Sequence, residues 1–190
     1  KQDNGSSKQT NIYNLIQLIV RNGEQIVYEE DTICLRAGEY IINELRKDNI
    51  SVDNPLYQRI LDEYLAHCKE PNWIAATYFQ YHPDIQISQV AVEMLADKYQ
   101  LSRMYSRQTV SENVVKEVDP STTQETLSEL TIRLLLELKY TIVNERIESM
   151  KKMLLDAQNK GDWELQRTIL EQQPQLMFIR QQLCQALGNR

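Results

Sequence analysis

Apolar residues recur along most of the chain with the period of an α-helix. Near the start, Ile12, Ile16 and Ile19 follow one another at steps of four and three residues, which places them on one face of a helix. A second periodic segment begins at Pro55, a residue suited to the first helical position, and the preceding Asn54 can cap it. Both segments are therefore predicted to be amphipathic helices that bury one face.

Further segments complete the first two thirds of the chain. Short helices are predicted for "GEYIINELRKDN" and "NWIAATYFQYH", the latter capped by Asn72, and a longer one for "PDIQISQVAVEMLADKYQLS", capped by Asp84. Strand-like composition occurs only in "EQIVYEEDTICL", whose acidic middle predicts a turn or a short irregular piece. A loop is predicted for "SRQTVSENVVKEVDPSTTQ", which has no clean period and contains Pro120.

The helical repeat of apolar residues then extends over a much longer segment. Residues 121 to about 158 contain no glycine or proline, and their apolar positions repeat at steps of four and three, which predicts one long helix of roughly 50 Å. A turn is predicted at Gly161, with Asp162 capping a returning helix of the same apolar spacing. Pro174 interrupts this second helix and is expected to kink it or to break it in two.

These elements predict an all-α fold: a compact helical bundle followed by a long helix and a C-terminal antiparallel helical hairpin. Residues 1–10 are expected to be a disordered linker or tail from a longer parent chain, residues 11–145 the bundle subdomain and residues 146–190 the hairpin subdomain. Charge supports this division. Residues 146–190 hold seven basic and five acidic residues, whereas residues 1–145 hold fourteen basic and twenty-two acidic ones.

Composition narrows the function classes. The net charge of −6 argues against a domain that mainly grips phosphate backbones. The three cysteines, Cys34, Cys68 and Cys184, are far apart and form no CxxC pair, so neither a disulfide framework nor a zinc site is predicted. No apolar run approaches the ~18 residues of a membrane span. We therefore expect a cytoplasmic protein with reduced thiols, without a metal, another cofactor or a membrane partner.

Catalytic chemistry is not predicted, because the sequence lacks the common phosphate-binding, nucleophile-elbow and metal-binding motifs. Its two histidines, His67 and His82, lie on different predicted elements. His82 stands two residues before Asp84, but an aspartate that precedes an apolar period is explained more simply as a helix cap. A pocket lined by His82 and two converging carboxylates would instead support an enzyme.

One candidate binding site is basic. Lys98, Arg103 and Arg107 are interleaved with tyrosines and form a possible patch for nucleic acid. A solvated helix end is the simpler interpretation, given the acidic bundle in which these residues lie.

The second candidate site lies on the hairpin. If Leu176, Ile179 and Leu183 point inward, Phe178 falls on the opposite side among uncharged glutamines, and Trp163 beside the turn is also placed to be exposed. An aromatic residue in uncharged surroundings on a projecting element is typical of a partner-binding surface, whereas ordinary packing on the bundle is the alternative. The predicted partner-binding residues are Trp163, Met177, Phe178, Gln181 and Gln185.

Three stretches occur in order before the hairpin, and they read "NPLYQRILDEY", "YFQYHPDIQISQVAVEMLADKYQLS" and "LKYTIVNERIESMKKML". Together with the hairpin they resemble the C-terminal, helicase-interaction domain of bacterial DNA primase, in the form found in Bacteroidetes. The resemblance covers nearly the whole chain from about residue 11.

The resemblance implies a non-catalytic fragment whose parent chain is a DNA primase, the DNA-directed RNA polymerase that makes primers. Its bundle would modulate the hexameric replicative helicase, and its hairpin would supply most of the affinity for the helicase N-terminal domains, coupling primer synthesis to the replication fork. Nucleic acid would bind weakly if at all, and the location would be the replisome. Two alternatives stay open: the N-terminal domain of a replicative helicase, which has a similar fold, and a helical module that binds single-stranded nucleic acid.

Overall fold

The computed structural model describes residues 4–30, 33–96 and 126–188, which form an all-α fold with one small β-hairpin. The predicted series of a helical bundle, a long helix and a C-terminal helical hairpin is confirmed. In chain order the elements are α1 (Asn4–Asn22), β1 (Ile26–Glu30), β2 (Ile33–Arg36), α2 (Ala37–Lys47), α3 (Pro55–His67), α4 (Ala75–Gln80), α5 (Ile85–Ala96), α6 (Leu127–Lys160) and α7 (Trp163–Ala186).

The chain divides into two compact units. One unit comprises residues 14–131, and the other joins residues 1–13 to residues 132–190. Helices α1 and α6 each contribute residues to both units. The predicted boundary between residues 145 and 146 lies inside α6 and stays a prediction.

The core of the 14–131 unit is formed by the apolar faces that the helical period predicts. Ile16 of α1, Ile60 of α3 and Ile87 of α5 are fully buried. The polar side chain of Gln17 is also buried, and it donates from Nε2 to the backbone carbonyl of Met94 at 3.0 Å. Because buried polar groups are costly without a partner, this bond favours one alignment of α1 against α5.

Tyr64 is fully buried between two glycines. Its hydroxyl donates to the carbonyl oxygen of Gly23 at 2.6 Å, and the backbone N–H of Gly38 donates to the same oxygen at 3.1 Å. A Cβ atom at Gly38 would lie 2.7 Å from the Tyr64 hydroxyl oxygen, and one at Gly23 would lie 2.7 Å from Cε2 of the ring. The two glycines therefore leave the space in which α3 inserts its aromatic side chain.

The predicted caps at Asn54, Asp84 and Asp162 are confirmed, and the predicted cap at Asn72 is wrong. Asn54 and Asp162 each accept a hydrogen bond from the first turn of the following helix, and Asp84 does the same before α5. Asn72 does not cap α4, because Ile74 occupies the N-cap position. Asn72 instead has a positive φ of 58°, a backbone conformation that asparagine adopts more readily than most residues.

The segments predicted to be irregular differ in part from the structure. Residues 4–10, expected to belong to a linker, already form the first turns of α1. The strand-like stretch forms an antiparallel hairpin in which Glu29 lies opposite Cys34. Pro174 does not break α7 in two, because the helix continues through it to Ala186, and a kink at this position stays a prediction. The predicted loop at 106–124 lies outside the described residues.

In the other unit, α6 and α7 are antiparallel neighbours. Gly161 has a positive φ of 71° in the turn that joins them, a conformation that costs glycine little. Ile147, Met150 and Leu154 of α6 face Ile169 of α7 around a cavity of only about 10 Å³. Because a cavity of that size holds one water at most, the two helices are closely packed here.

Candidate partner-binding surface

One face of α7 packs against α6. Ile169 is buried on this face, and Leu176 and Leu183 are half-buried. Beside the turn, Gln166 donates from Nε2 to the carbonyl oxygen of Ala157 at 3.2 Å. Ile179, predicted to point inward, is 37% exposed, because the helical step places it at the edge of the face that Ile169 defines.

The opposite face of α7 is open to solvent. Trp163 is 78% exposed and Phe178 is 61% exposed, whereas Met177 is exposed to a smaller extent. Gln181 and Gln185 are also exposed. Residues three and four apart are neighbours on a helix. By this rule Phe178 is surrounded by uncharged residues, namely Pro174, Gln175, Gln181 and Gln182.

These exposed residues belong to a longer row on α7 that we call the outer stripe. Its members follow one another at steps of three or four residues, so they lie on one side of the helix. The predicted surface did not include Leu170, which is 52% exposed, or Pro174, although the spacing that predicted the inner face also applies to them. The outer stripe consists of Trp163, Arg167, Leu170, Pro174, Phe178, Gln181 and Gln185.

The outer stripe carries little net charge. Arg167 pairs with Glu171 one turn away, with 2.9 Å between Nε and Oε1. Between residues 172 and 188 the sequence has one charged residue, Arg180, which is half-buried. The pKa of Glu148 on α6 is lowered, first by a hydrogen bond from Lys151 and to a smaller extent by the charge of Arg180. From Leu170 onward the outer stripe therefore presents apolar and uncharged polar groups.

A second group of interest, which we call the polar cluster, consists of Arg59, Glu63, Tyr78, His82 and Asp84. The His82 side chain is only 7% exposed, and its Nε2 lies 2.7 Å from Oε2 of Glu63. Its Nδ1 accepts the backbone N–H of Asp84 at 3.0 Å. Since Nδ1 accepts, the ring is neutral in this arrangement and its Nε2–H donates to Glu63. The Tyr78 hydroxyl donates to the same carboxylate oxygen at 3.4 Å.

Arg59 closes the polar cluster. Its Nη1 lies 2.6 Å from Oδ2 of Asp84, and its Nη2 lies 3.6 Å from Oε1 of Glu63. The pKa of Asp84 is lowered, first by the hydrogen bond from Arg59 and next by that from the backbone N–H of Gln86. The cluster thus joins α3 to the first turn of α5.

Asp84 is expected to make the stability of the protein depend on acidic pH. Its contribution to the free energy of unfolding is complete above the unfolded-state pKa, near 3.8, and is lost as the pH falls through the lower folded-state pKa. Asp84→Asn should therefore reduce the loss of stability on acidification, measured by urea unfolding at a series of pH values. Asp156→Asn, at an exposed position on α6, is the control. If the free energy of unfolding of Asp84→Asn fell as steeply with decreasing pH as that of the wild type, the prediction would be contradicted.

The polar cluster brings His82 next to two carboxylates, the arrangement that would favour an enzyme if it lined a pocket. Both ring nitrogens of His82 and the oxygens of Glu63 and Asp84 already have partners in the cluster or in the first turn of α5. A cavity of about 50 Å³ lies between α2 and α3, but its lining includes neither His82 nor Asp84. Pockets for small molecules are roughly 300–1,000 Å³. The geometry therefore fits a structural link, and the absence of catalysis stays a prediction.

The other features considered from the sequence are a metal site, a membrane span and the basic patch. Within the described ranges, no group of three or more histidine, cysteine, aspartate or glutamate residues is arranged to hold a metal ion. None of the helices described is both long and apolar enough to span a lipid bilayer. The basic patch of Lys98, Arg103 and Arg107 lies outside the described residues.

Comparison with known proteins gives a family and no function. No curated protein matches the chain, and no solved structure does. One family model, described as "Domain of unknown function (DUF8430)", matches residues 9–190 and so covers most of both compact units. The chain belongs to the DUF8430 family.

Proposed function

We propose that this chain is the protein-interaction domain of a DNA primase, and that it docks the primase onto the N-terminal domains of the hexameric replicative helicase. The observation that carries the proposal is the exposure of two large aromatic side chains, Trp163 and Phe178, on one side of α7. Aromatic anchors contribute much of the binding energy at protein interfaces, and both residues belong to the hairpin that the primase resemblance assigns to helicase binding.

The surroundings of these anchors support docking to a protein. Charged residues are depleted in the centres of interfaces, and the outer stripe between Leu170 and Gln185 has no charged member. The inner face of α7 is held against α6 by Ile169, so the outer face is presented on an ordered helix. A preorganised surface loses less conformational entropy on binding than a disordered one.

Phe178→Ala and Trp163→Ala are each expected to weaken binding to the helicase of the same cell by about 1–2 kcal/mol, or roughly 5- to 30-fold. The dissociation constants would be measured by calorimetry with the full chain. Gln172→Ala is the matched control, because Gln172 is exposed on α7 but lies off the outer stripe. Circular dichroism would verify that each variant keeps its helices.

The possible results distinguish a wrong binding surface from a wrong function. If the wild-type chain does not bind the helicase, the proposed function is wrong. If it binds and neither aromatic substitution changes the dissociation constant, docking takes place elsewhere on the chain.

A further inference from the structure

The two ring nitrogens of His82 have partners of opposite kind. Nε2 lies 2.7 Å from Oε2 of Glu63, to which it donates, whereas Nδ1 accepts the backbone N–H of Asp84 at 3.0 Å. A protonated histidine ring carries a hydrogen on both nitrogens, so it can only donate. A second proton on His82 therefore leaves the bond to Glu63 intact and removes the acceptor that the Asp84 N–H uses.

The charged and titratable groups around this ring come from α3, α4 and the turn before α5. Glu63 and Arg59 lie on α3, and Tyr78 of α4 packs against His82 with 5.7 Å between the ring centroids. The carboxylates of Glu63 and Asp84 attract a positive charge on the ring, whereas the guanidinium bonded to both of them repels it. A change in the charge of His82 therefore acts on groups of all three helices.

The bond at risk lies where α5 begins. Asp84 precedes the first residue of α5, and the backbone N–H that it donates to His82 is its link to the turn after α4. The rest of α5 is held independently, because Ile87 and Met94 are fully buried and Gln17 donates to the Met94 carbonyl. Loss of the bond at Asp84 would therefore alter the α4–α5 turn and leave most of α5 in place.

We propose that His82 is a pH-sensitive switch in the α4–α5 turn: its neutral ring holds the backbone N–H of Asp84, and protonation at Nδ1 releases that N–H while Glu63 retains the ring. Histidine is the side chain whose ordinary change of charge falls between pH 5 and 8. The pKa of the Asp84 carboxyl is lowered, first by the hydrogen bond from Arg59, so this group stays ionised over that range. The switch does not depend on the proposed function.

Nuclear magnetic resonance of the full chain between pH 8 and pH 5 tests the switch. The ring nitrogen shifts of His82 report its tautomer and its charge, and hydrogen exchange reports the state of the Asp84 amide. The neutral ring is expected to carry its proton on Nε2. As the ring gains the second proton, protection of the Asp84 amide is expected to fall by about 3- to 10-fold, after correction for the intrinsic pH dependence of exchange. The amide of Ala91, a buried residue of α5, should keep its protection.

Two matched variants identify the titrating group. In His82→Asn the side-chain oxygen lies near the position of Nδ1 and accepts a hydrogen bond at every pH in this range, so protection of the Asp84 amide should become independent of pH. His67→Asn is the control, because His67 pairs through Nδ1 with the exposed Glu70 and makes no bond to the α4–α5 turn that the structure records. The pH response should persist in His67→Asn.

Several results would overturn the switch. A neutral His82 ring with its proton on Nδ1 would do so, as would a ring that stays neutral down to pH 5. Unchanged protection of the Asp84 amide while the ring becomes charged would have the same meaning. A pH response that persists in His82→Asn, or disappears in His67→Asn, would assign it to another group. If His82→Asn does not fold, the measurements on the wild-type chain decide alone.

Discussion

Replacing Gly38 with alanine is expected to lower the free energy of unfolding by about 2–3 kcal/mol, even though alanine favours helices over glycine by about 1 kcal/mol. The reason is the Tyr64 ring, which leaves no space for a Cβ atom at this position in α2. The Tyr64 ring cannot easily move away, because it is fully buried and its hydroxyl donates a hydrogen bond to the carbonyl oxygen of Gly23. The substitution must overpack the core or break that bond. Urea unfolding followed by circular dichroism measures the change.

A double-mutant cycle identifies the cause. In a Tyr64→Leu background the steric conflict is removed, so Gly38→Ala is expected to be neutral or stabilising there. Tyr64→Leu alone supplies the reference for the cycle. A Gly38→Ala protein as stable as the wild type would show that the space at Gly38 is not filled by Tyr64.

Replacing Glu63 with alanine is the second substitution expected to have a large effect, about 2 kcal/mol of lost stability. Glu63 accepts hydrogen bonds from Tyr78 and from His82, and it also pairs with Arg59. Without it, the Nε2–H of His82 is left unpaired in a side chain that is only 7% exposed. A buried donor without an acceptor bears the full cost of its desolvation.

The chain offers a matched control for this variant. Glu70 also pairs with a histidine, His67, at 2.7 Å, but this glutamate is 55% exposed and both partners remain accessible to water. Exposed pairs contribute about 0–1 kcal/mol, so Glu70→Ala should change stability far less than Glu63→Ala. Equal losses in the two variants would contradict the buried role assigned to the polar cluster.

The proposed docking surface shows what the helical period of the sequence can and cannot predict. The step of three and four residues places Phe178 opposite the inner face of α7, and the structure finds it exposed. The same rule, applied to the whole outer stripe, also assigns Leu170 and Pro174 to it. The prediction for Ile179 was wrong, because a residue at the edge of a face has the right spacing and still remains partly exposed to solvent.

Local chemistry was readable from the sequence alone. The all-α class, the long helix and its turn, and the caps at Asn54, Asp84 and Asp162 all follow from interactions between residues a few positions apart. Such interactions involve residues that are close in the sequence, so predicting them requires no knowledge of the rest of the fold. The position of Asn72 in a turn shows the limit, because its backbone conformation was set by the path of the chain into α4.

Tertiary structure alone decided the pairings between distant residues. No spacing in the sequence indicates that His82 meets Glu63, or that Gly23 and Gly38 make room for Tyr64. These contacts depend on how whole helices align, and that alignment is fixed by many small packing terms acting together. The sequence determined which segments are helices and which faces are apolar. Packing determined which distant side chains became buried partners.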